Sequence, residues 1–337
     1  MPDEAAFMNR RGFFKIAGSV VAASAIGGAA GQVIAANYPS RTFDVIVPTR
    51  EGGGADGLSR AFINSWKDKI GQDFERQFSP GAAGQVGYEL YFKQREMDGS
   101  NLLFGNVSAE MIMYALQKPD FRFPEDIYYF CGIDTDPCGI WVSGESPFTS
   151  VEEVVETAMK RPVSIAVSRL PHPGTIGLLA LAEATGAQFN IVPYGGGNPQ
   201  VVAVLNGEAE CGGGGTAGYI EGARILGVFD REEFVLAETR GDVPLINEVF
   251  GTDIPSLYST RSWAVHRSWA DANPDDYKVL QDTSAAVFDD PRFKEEIVQS
   301  GVTPWDGVRF RDQSTCMALA QSMVELATKY GDQLTAG

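Results

Sequence analysis

The chain has 337 residues, 44% of them hydrophobic and 21% charged, and a net charge of −17. That composition excludes a disordered chain, and at roughly 150 residues per domain the length predicts two domains. Acids outnumber bases without a basic run beyond one pair near the start, which excludes a nucleic-acid surface, because phosphate contacts need clustered positive charge.

The first element is for export. Arg10-Arg11-Gly12-Phe13-Phe14-Lys15 leads into an uncharged stretch, residues 16–36, that ends in Ile34-Ala35-Ala36. A twin arginine, an apolar stretch and a small-residue end read as a twin-arginine signal over residues 1–36, cleaved near Ala36 to release a periplasmic chain starting at Asn37. The stretch is rich in Ala, Gly and Ser rather than Leu, which speaks against a membrane anchor. Four cysteines, Cys131, Cys138, Cys211 and Cys316, would then meet an oxidising compartment. Cys131 and Cys138 flank a turn-like segment and fit either a local disulfide or two buried thiols.

In the remaining chain, residues 42–47 alternate and then run apolar, predicting a strand, and residues 56–70 have helical spacing. Residues 74–78 and 101–105 are further strands, followed by helices at 88–95 and from Asn106 onward. Residues 128–142 hold two closely spaced strands, typical of a crossing between domains near Gly139, with a return near Ser262. Domain I is therefore residues 37–139 with 263–337, and domain II residues 140–262. Within domain II, residues 151–160 and 177–185 read as helices, 163–167 and 189–192 as strands, and a helix starts at Val201. After Val265 the chain is mostly helical. Strands alternating with helices predict an α/β fold with mostly parallel sheets flanked by helices.

Several strands run into loops of Gly, Ser, Thr or Asn that open a helix: residues 49–56, 168–175 and 194–198. Gly52-Gly53-Gly54-Ala55-Asp56-Gly57 fits the dinucleotide fingerprint formally, yet the second strand ends Phe78-Ser79-Pro80-Gly81 without the acid that would grip a ribose. No glycine run carries the following Lys-Ser or Lys-Thr of a phosphate loop, and no G-x-S-x-G elbow occurs. His172 and His266 stand far apart and away from cysteine, so neither metal nor cofactor is expected. What remains is anion binding by free N–H groups at helix starts.

Val47-Pro48 before Gly52-Gly53-Gly54-Ala55-Asp56, Pro80-Gly81-Ala82-Ala83-Gly84, Asp98-Gly99 before Leu102-Leu103-Phe104-Gly105, Val192-Pro193-Tyr194 and Asp242-Val243-Pro244 are similar to Bug-type receptors, the periplasmic solute-binding proteins of tripartite tricarboxylate transporters. The resemblance spans nearly the whole mature chain. It implies a two-domain flytrap fold with the ligand in the interdomain cleft, a small carboxylate as ligand, integral membrane subunits as partners, a monomer, and no catalytic step. Rival readings are a periplasmic carboxylate sensor presenting ligand to a signalling partner, and a periplasmic enzyme. The family's amide-lined loops fall at residues 49–56 and 194–197. The chain departs from the pattern at Arg50-Glu51, at residues 169–173 and at the glycines 212–215.

The candidate ligand-binding residues are Thr49, Arg50, Gly53, Gly54, Asn106, Ser108, Arg169, His172, Thr175, Tyr194, Gly195, Gly196, Gly215 and Thr216, with Asp56 as a helix cap near the ligand. Arg50 or Arg169 could hold a distal carboxylate in a planar fork. His172 could touch the ligand or only fix its loop, and Tyr194 could stack on the ligand or pack beneath the loop. Trp263 is expected in the core. Asp134 and Asp136 are expected to be solvated turn residues.

Overall fold

The computed structural model describes residues 38–217, 222–231 and 235–335, so the expected export signal and the expected mature start at Asn37 lie outside the described residues. In chain order the strands are β1 (Phe43–Val47), β2 (Phe74–Phe78), β3 (Asn101–Asn106), β4 (Ile127–Asp134), β5 (Asp136–Ser143) and β6 (Val163–Val167). They continue with β7 (Phe189–Pro193), β8 (Cys211–Gly215), β9 (Ala223–Val228), β10 (Tyr258–Ser259), β11 (Arg261–His266) and β12 (Val308–Arg311). They form two sheets. The first has the order β12-β4-β11-β3-β1-β2 and the second β10-β5-β8-β6-β7, with β9 also paired to β5.

Each sheet divides into two halves for a chemical reason. β2, β1 and β3 are joined through helices, which carry the chain back over the sheet, so they pair parallel. β7, β6 and β8 repeat this in the second sheet. The other pairs, including β4 with β11 and β5 with β8, are antiparallel. The expectation of mostly parallel sheets is thus corrected to mixed sheets, parallel only where a helix makes the return.

The chain passes from β4 to β5 through Thr135 alone and returns from β10 to β11 through Thr260 alone. Both links are held. Thr135 donates its N–H to Gly307 O at 2.7 Å and its hydroxyl accepts from Arg311 at 2.6 Å, while Thr260 O accepts Val107 N–H at 2.9 Å.

The outer face of the first sheet packs on aromatic side chains. Trp66 and Trp263 are fully buried with ring centroids 5.0 Å apart, and Phe43 stacks on Phe74 at 4.8 Å. Trp263 is a core residue, as expected. The helices Gly54–Ile70, Pro274–Ala285 and Pro291–Ser300 cover this face, and Gln313–Lys329 packs with Val107–Gln117 on β4. The late helices therefore supply apolar cover that the first sheet needs on both faces.

β8 has the sequence Cys211-Gly212-Gly213-Gly214-Gly215, which no β-propensity would assign to a strand. Its glycines are needed because of what lies against them. A Cβ at Gly212 would enter the Trp141 ring, and one at Gly213 would come within 2.7 Å of Leu178. All four cysteines are free and buried, which settles the Cys131 and Cys138 alternatives in favour of two thiols.

Candidate functional site

The carboxyl ends of the parallel strands carry the loops singled out in the sequence. After β1 the chain turns through Gly52 and Gly53 into the helix Gly54–Ile70, whose cap residue is Gly53 with no capping side chain. Asp56 is not the cap: it lies in the helix's first turn, buried, and its carboxylate accepts the Gly52 N–H at 2.8 Å and hydrogen bonds from Arg60 and Arg76. It clamps the loop from inside, and those bonds hold its carboxyl below the usual range against the opposing effect of burial. Gly53 and Gly54 are exposed, Thr49 Oγ1 is buried with no partner among the described residues, and Arg50 is exposed. The guanidinium placed against this loop is that of Arg261, as described below.

After β3, Asn106 caps the helix Val107–Gln117 through a bond from Ala109 N–H at 3.2 Å, and the buried Ser108 donates to Tyr258 O at 2.6 Å. That second bond ties the first sheet's helix to β10 of the second.

After β6, His172 caps the helix Pro173–Thr185, its Nδ1 accepting Gly174 N–H at 3.1 Å with Nε2 3.5 Å from Ser259 Oγ. Burial, with help from the Arg169 charge, pushes its pKa down to about 3, so the ring is neutral. Thr175 donates to Arg169 O at 3.2 Å and Thr216 donates to Pro137 O at 2.8 Å. Tyr194 is half-buried against the cluster around Trp141 and Val204. Gly195 is exposed with φ of 71°, and Gly196 caps the helix Gly197–Leu205 without a side chain, so this helix start resembles that at Gly53. Gly215 lies against Asp136, whose carboxylate occupies the place a Cβ would take.

Arg169 spans the two sheets. From the end of β6 it donates to Ala83 O, in the loop after β2, at 3.3 Å. Beneath it lies Glu110, fully buried, which accepts from Tyr88 at 2.9 Å while its Oε1 meets no donor among the described residues. Burial pushes Glu110 up to about 7, against the opposing pull of Arg169 and Tyr88. Glycines make the room: a Cβ at Gly84 would come within 3.1 Å of Glu110, and one at Gly105 would overlap its carboxylate.

The expectation that Asp134 and Asp136 are solvated turn residues is overturned. Asp134 is fully buried and pairs with Arg261 through both its backbone N–H, at 2.8 Å, and its guanidinium. Asp136 accepts Ala217 N–H at 2.7 Å, and burial raises its pKa. Two short acids around a threonine have the composition of a turn; that they bracket a sheet-to-sheet link is a long-range fact. Arg261 was missed for the same reason, although a charged residue entering the apolar run Trp263-Ala264-Val265 was a readable oddity. Among the described residues no group of three or more His, Cys, Asp or Glu could hold a metal, and no helix is long and apolar enough to cross a membrane.

Two mixed sheets linked by two single residues, with helix starts gathered at the parallel strand ends, form the two-domain fold of periplasmic solute-binding proteins. A solute-binding protein from Polaromonas superposes with a TM-score of 0.72 at 21% identity, over 88% of this chain and 99% of that one. The periplasmic binding protein BugD superposes at 0.67 and 19% identity, over 88% and 98%, and MatC from Rhodopseudomonas palustris, solved with bound malate, at 0.65 and 18%, over 88% and 100%. The model of the tripartite tricarboxylate transporter family receptor matches residues 58–326, and the chain belongs to this family. Protein BugT of Bordetella pertussis is 28% identical over 187 residues, 54% of this chain and 57% of that protein, so the aligned part spans less than two thirds of this relative.

Proposed function

We propose that the chain captures a small carboxylate at the facing strand ends and delivers it to the membrane subunits of a tripartite tricarboxylate transporter, as a monomer and without a catalytic step. The observation that carries this reading is the pair of side-chain-free helix starts, Gly53-Gly54 at the first sheet and Gly195 to Gly197 at the second. Their N–H groups and the positive ends of the helix dipoles suit an anion. Arg169, half-buried and bridging the sheets, adds a planar donor; Arg50 contributes at most at the rim. The relatives solved with malate and with adipate support a carboxylate. Residues 37–139 with 263–337 and residues 140–262 act as the two closing domains; the single-residue links at Thr135 and Thr260 support this division to within a few residues. Export through the twin-arginine route delivers the chain to the periplasm.

A melting-point screen over carboxylates, amino acids, sugars and amines tests the reading. A ligand at a hundredfold excess over its Kd adds about 2.7 kcal/mol of stability, which at roughly 2 °C per kcal/mol for a chain of this size gives a shift of about 5 °C. Carboxylates are expected to give that shift; shifts from sugars or amines alone sink the reading.

A further inference from the structure

Arg261 opens β11 immediately after the Thr260 link, and three of its contacts fix where its charge points. Its backbone N–H and Nη2 are both taken by the fully buried Asp134. Its Nε is buried and meets no acceptor among the described residues. Its Nη1 lies where a Cβ on Gly54 would come within 2.7 Å of it, against the first residue of the helix Gly54–Ile70. The absence of a side chain at Gly54 thus leaves the guanidinium room to lie against the helix start. The side chain keeps 13% of its surface exposed, so it is neither sealed nor free to swing. The other acid whose charge reaches it, Asp136, is already engaged by Ala217 N–H.

Two positive features converge here. The helix start presents N–H groups that have no partner within the helix, and Nη1 stands beside them on a guanidinium braced from behind. Asp134 already balances the guanidinium's charge from behind, so what this place offers an incoming anion is direction: a braced planar donor loses little freedom when one joins it. Arg50, exposed on the same loop, has no such bracing among the described residues.

We propose that Arg261 is the specificity-determining cation of the site: it grips the ligand carboxylate that docks at the helix start of Gly54, and so makes an anion obligatory at that end. This rests on the carboxylate-receptor reading and names the group within it that selects charge.

The test is titration calorimetry on the whole mature protein with succinate, glutarate and adipate, each compared with its uncharged diamide. The variant R261Q/D134N removes the cation together with its buried counter-ion, so that neither charge is left unpaired. Loss of one charge-assisted hydrogen bond lowers acid affinity by roughly 10- to 100-fold, and the diacid-to-diamide preference is expected to fall by that factor. R261K, which keeps the charge and loses the fork, should fall between. A merely structural change weakens acid and diamide alike and leaves the ratio unmoved. A ratio within about twofold of wild type in a folded R261Q/D134N overturns the inference while the receptor reading stands. Should that variant not fold, an unchanged ratio in R261K overturns it and a lowered one supports it. Failure of every carboxylate to bind the wild-type protein overturns both readings.

Discussion

The two sheets solve the same problem, presenting helix starts at their parallel strand ends, with opposite materials. The first is built from large side chains and paired charges: an aromatic face around Trp66 and Trp263, the Asp134–Arg261 pair at the link, and Glu110 sunk below the strand ends. The second is built by leaving side chains out: β8 is four glycines after a cysteine, and the neighbouring helix is capped by a histidine that burial keeps neutral. Charge can be placed where a counter-charge is buried with it. Close approach of backbone to ring or backbone needs glycine. The first sheet is therefore expected to be sensitive to charge removal and the second to added volume.

The largest effect should come from Asp134→Asn alone. It leaves the Arg261 guanidinium without its counter-ion, which costs about 3–5 kcal/mol for a buried pair, or roughly 6–10 °C of melting temperature. A smaller loss than for a surface acid such as Asp68 would show that the pair is solvated after all. In the second sheet, Gly212→Ala forces a methyl into Trp141 and should cost about 3 kcal/mol, read by denaturant unfolding. A neutral result there would remove the steric account of β8.

Two titrations sharpen the contrast. His172 is held at about 3, below its unfolded value near 6.5. Its stabilising share is thus whole above pH 6.5 and is lost as pH falls toward 3. His172→Asn, which keeps a capping acceptor, should flatten that acid limb, leaving a part due to His266, itself pushed down to about 4 by burial. Glu110 has the reverse sign. Its folded value near 7 exceeds the unfolded one near 4.5, so its share is whole below pH 4.5 and is lost as pH rises through 7. Glu110→Gln should remove the fall between those values, measured as melting temperature against pH. The smallest effect is expected for Arg50→Ala, within about 0.5 kcal/mol as for an exposed side chain.

What could be read in the chain alone follows the same division. β1, β6 and the helix of Gly54 to Ile70 are legible within a residue or two, because apolar spacing and glycine turns are local signals. β8 is not, since its reason for being a strand is the absence of atoms where Trp141 and Leu178 lie. The loops of the candidate site were legible as glycine-rich helix starts. The cations were only half so: Arg169 follows a readable strand end, whereas Arg261 meets Gly54 from the far side of the chain. Asp134 and Glu110 likewise draw their meaning from partners distant in sequence.

The four cysteines carry a consequence of another kind. Each is buried and free, and burial raises every one of the thiols, Cys316 to about 11 and Cys211 to about 12. The thiolate is the reactive form, so at neutral pH none should react with an alkylating reagent while the fold is intact. Cys131 lies in the aromatic core of the first sheet, and Cys138 and Cys211 belong to the strands of the second. Alkylation counted cysteine by cysteine is thus a clock with a hand in each sheet, and it records whether the two come apart together or one before the other.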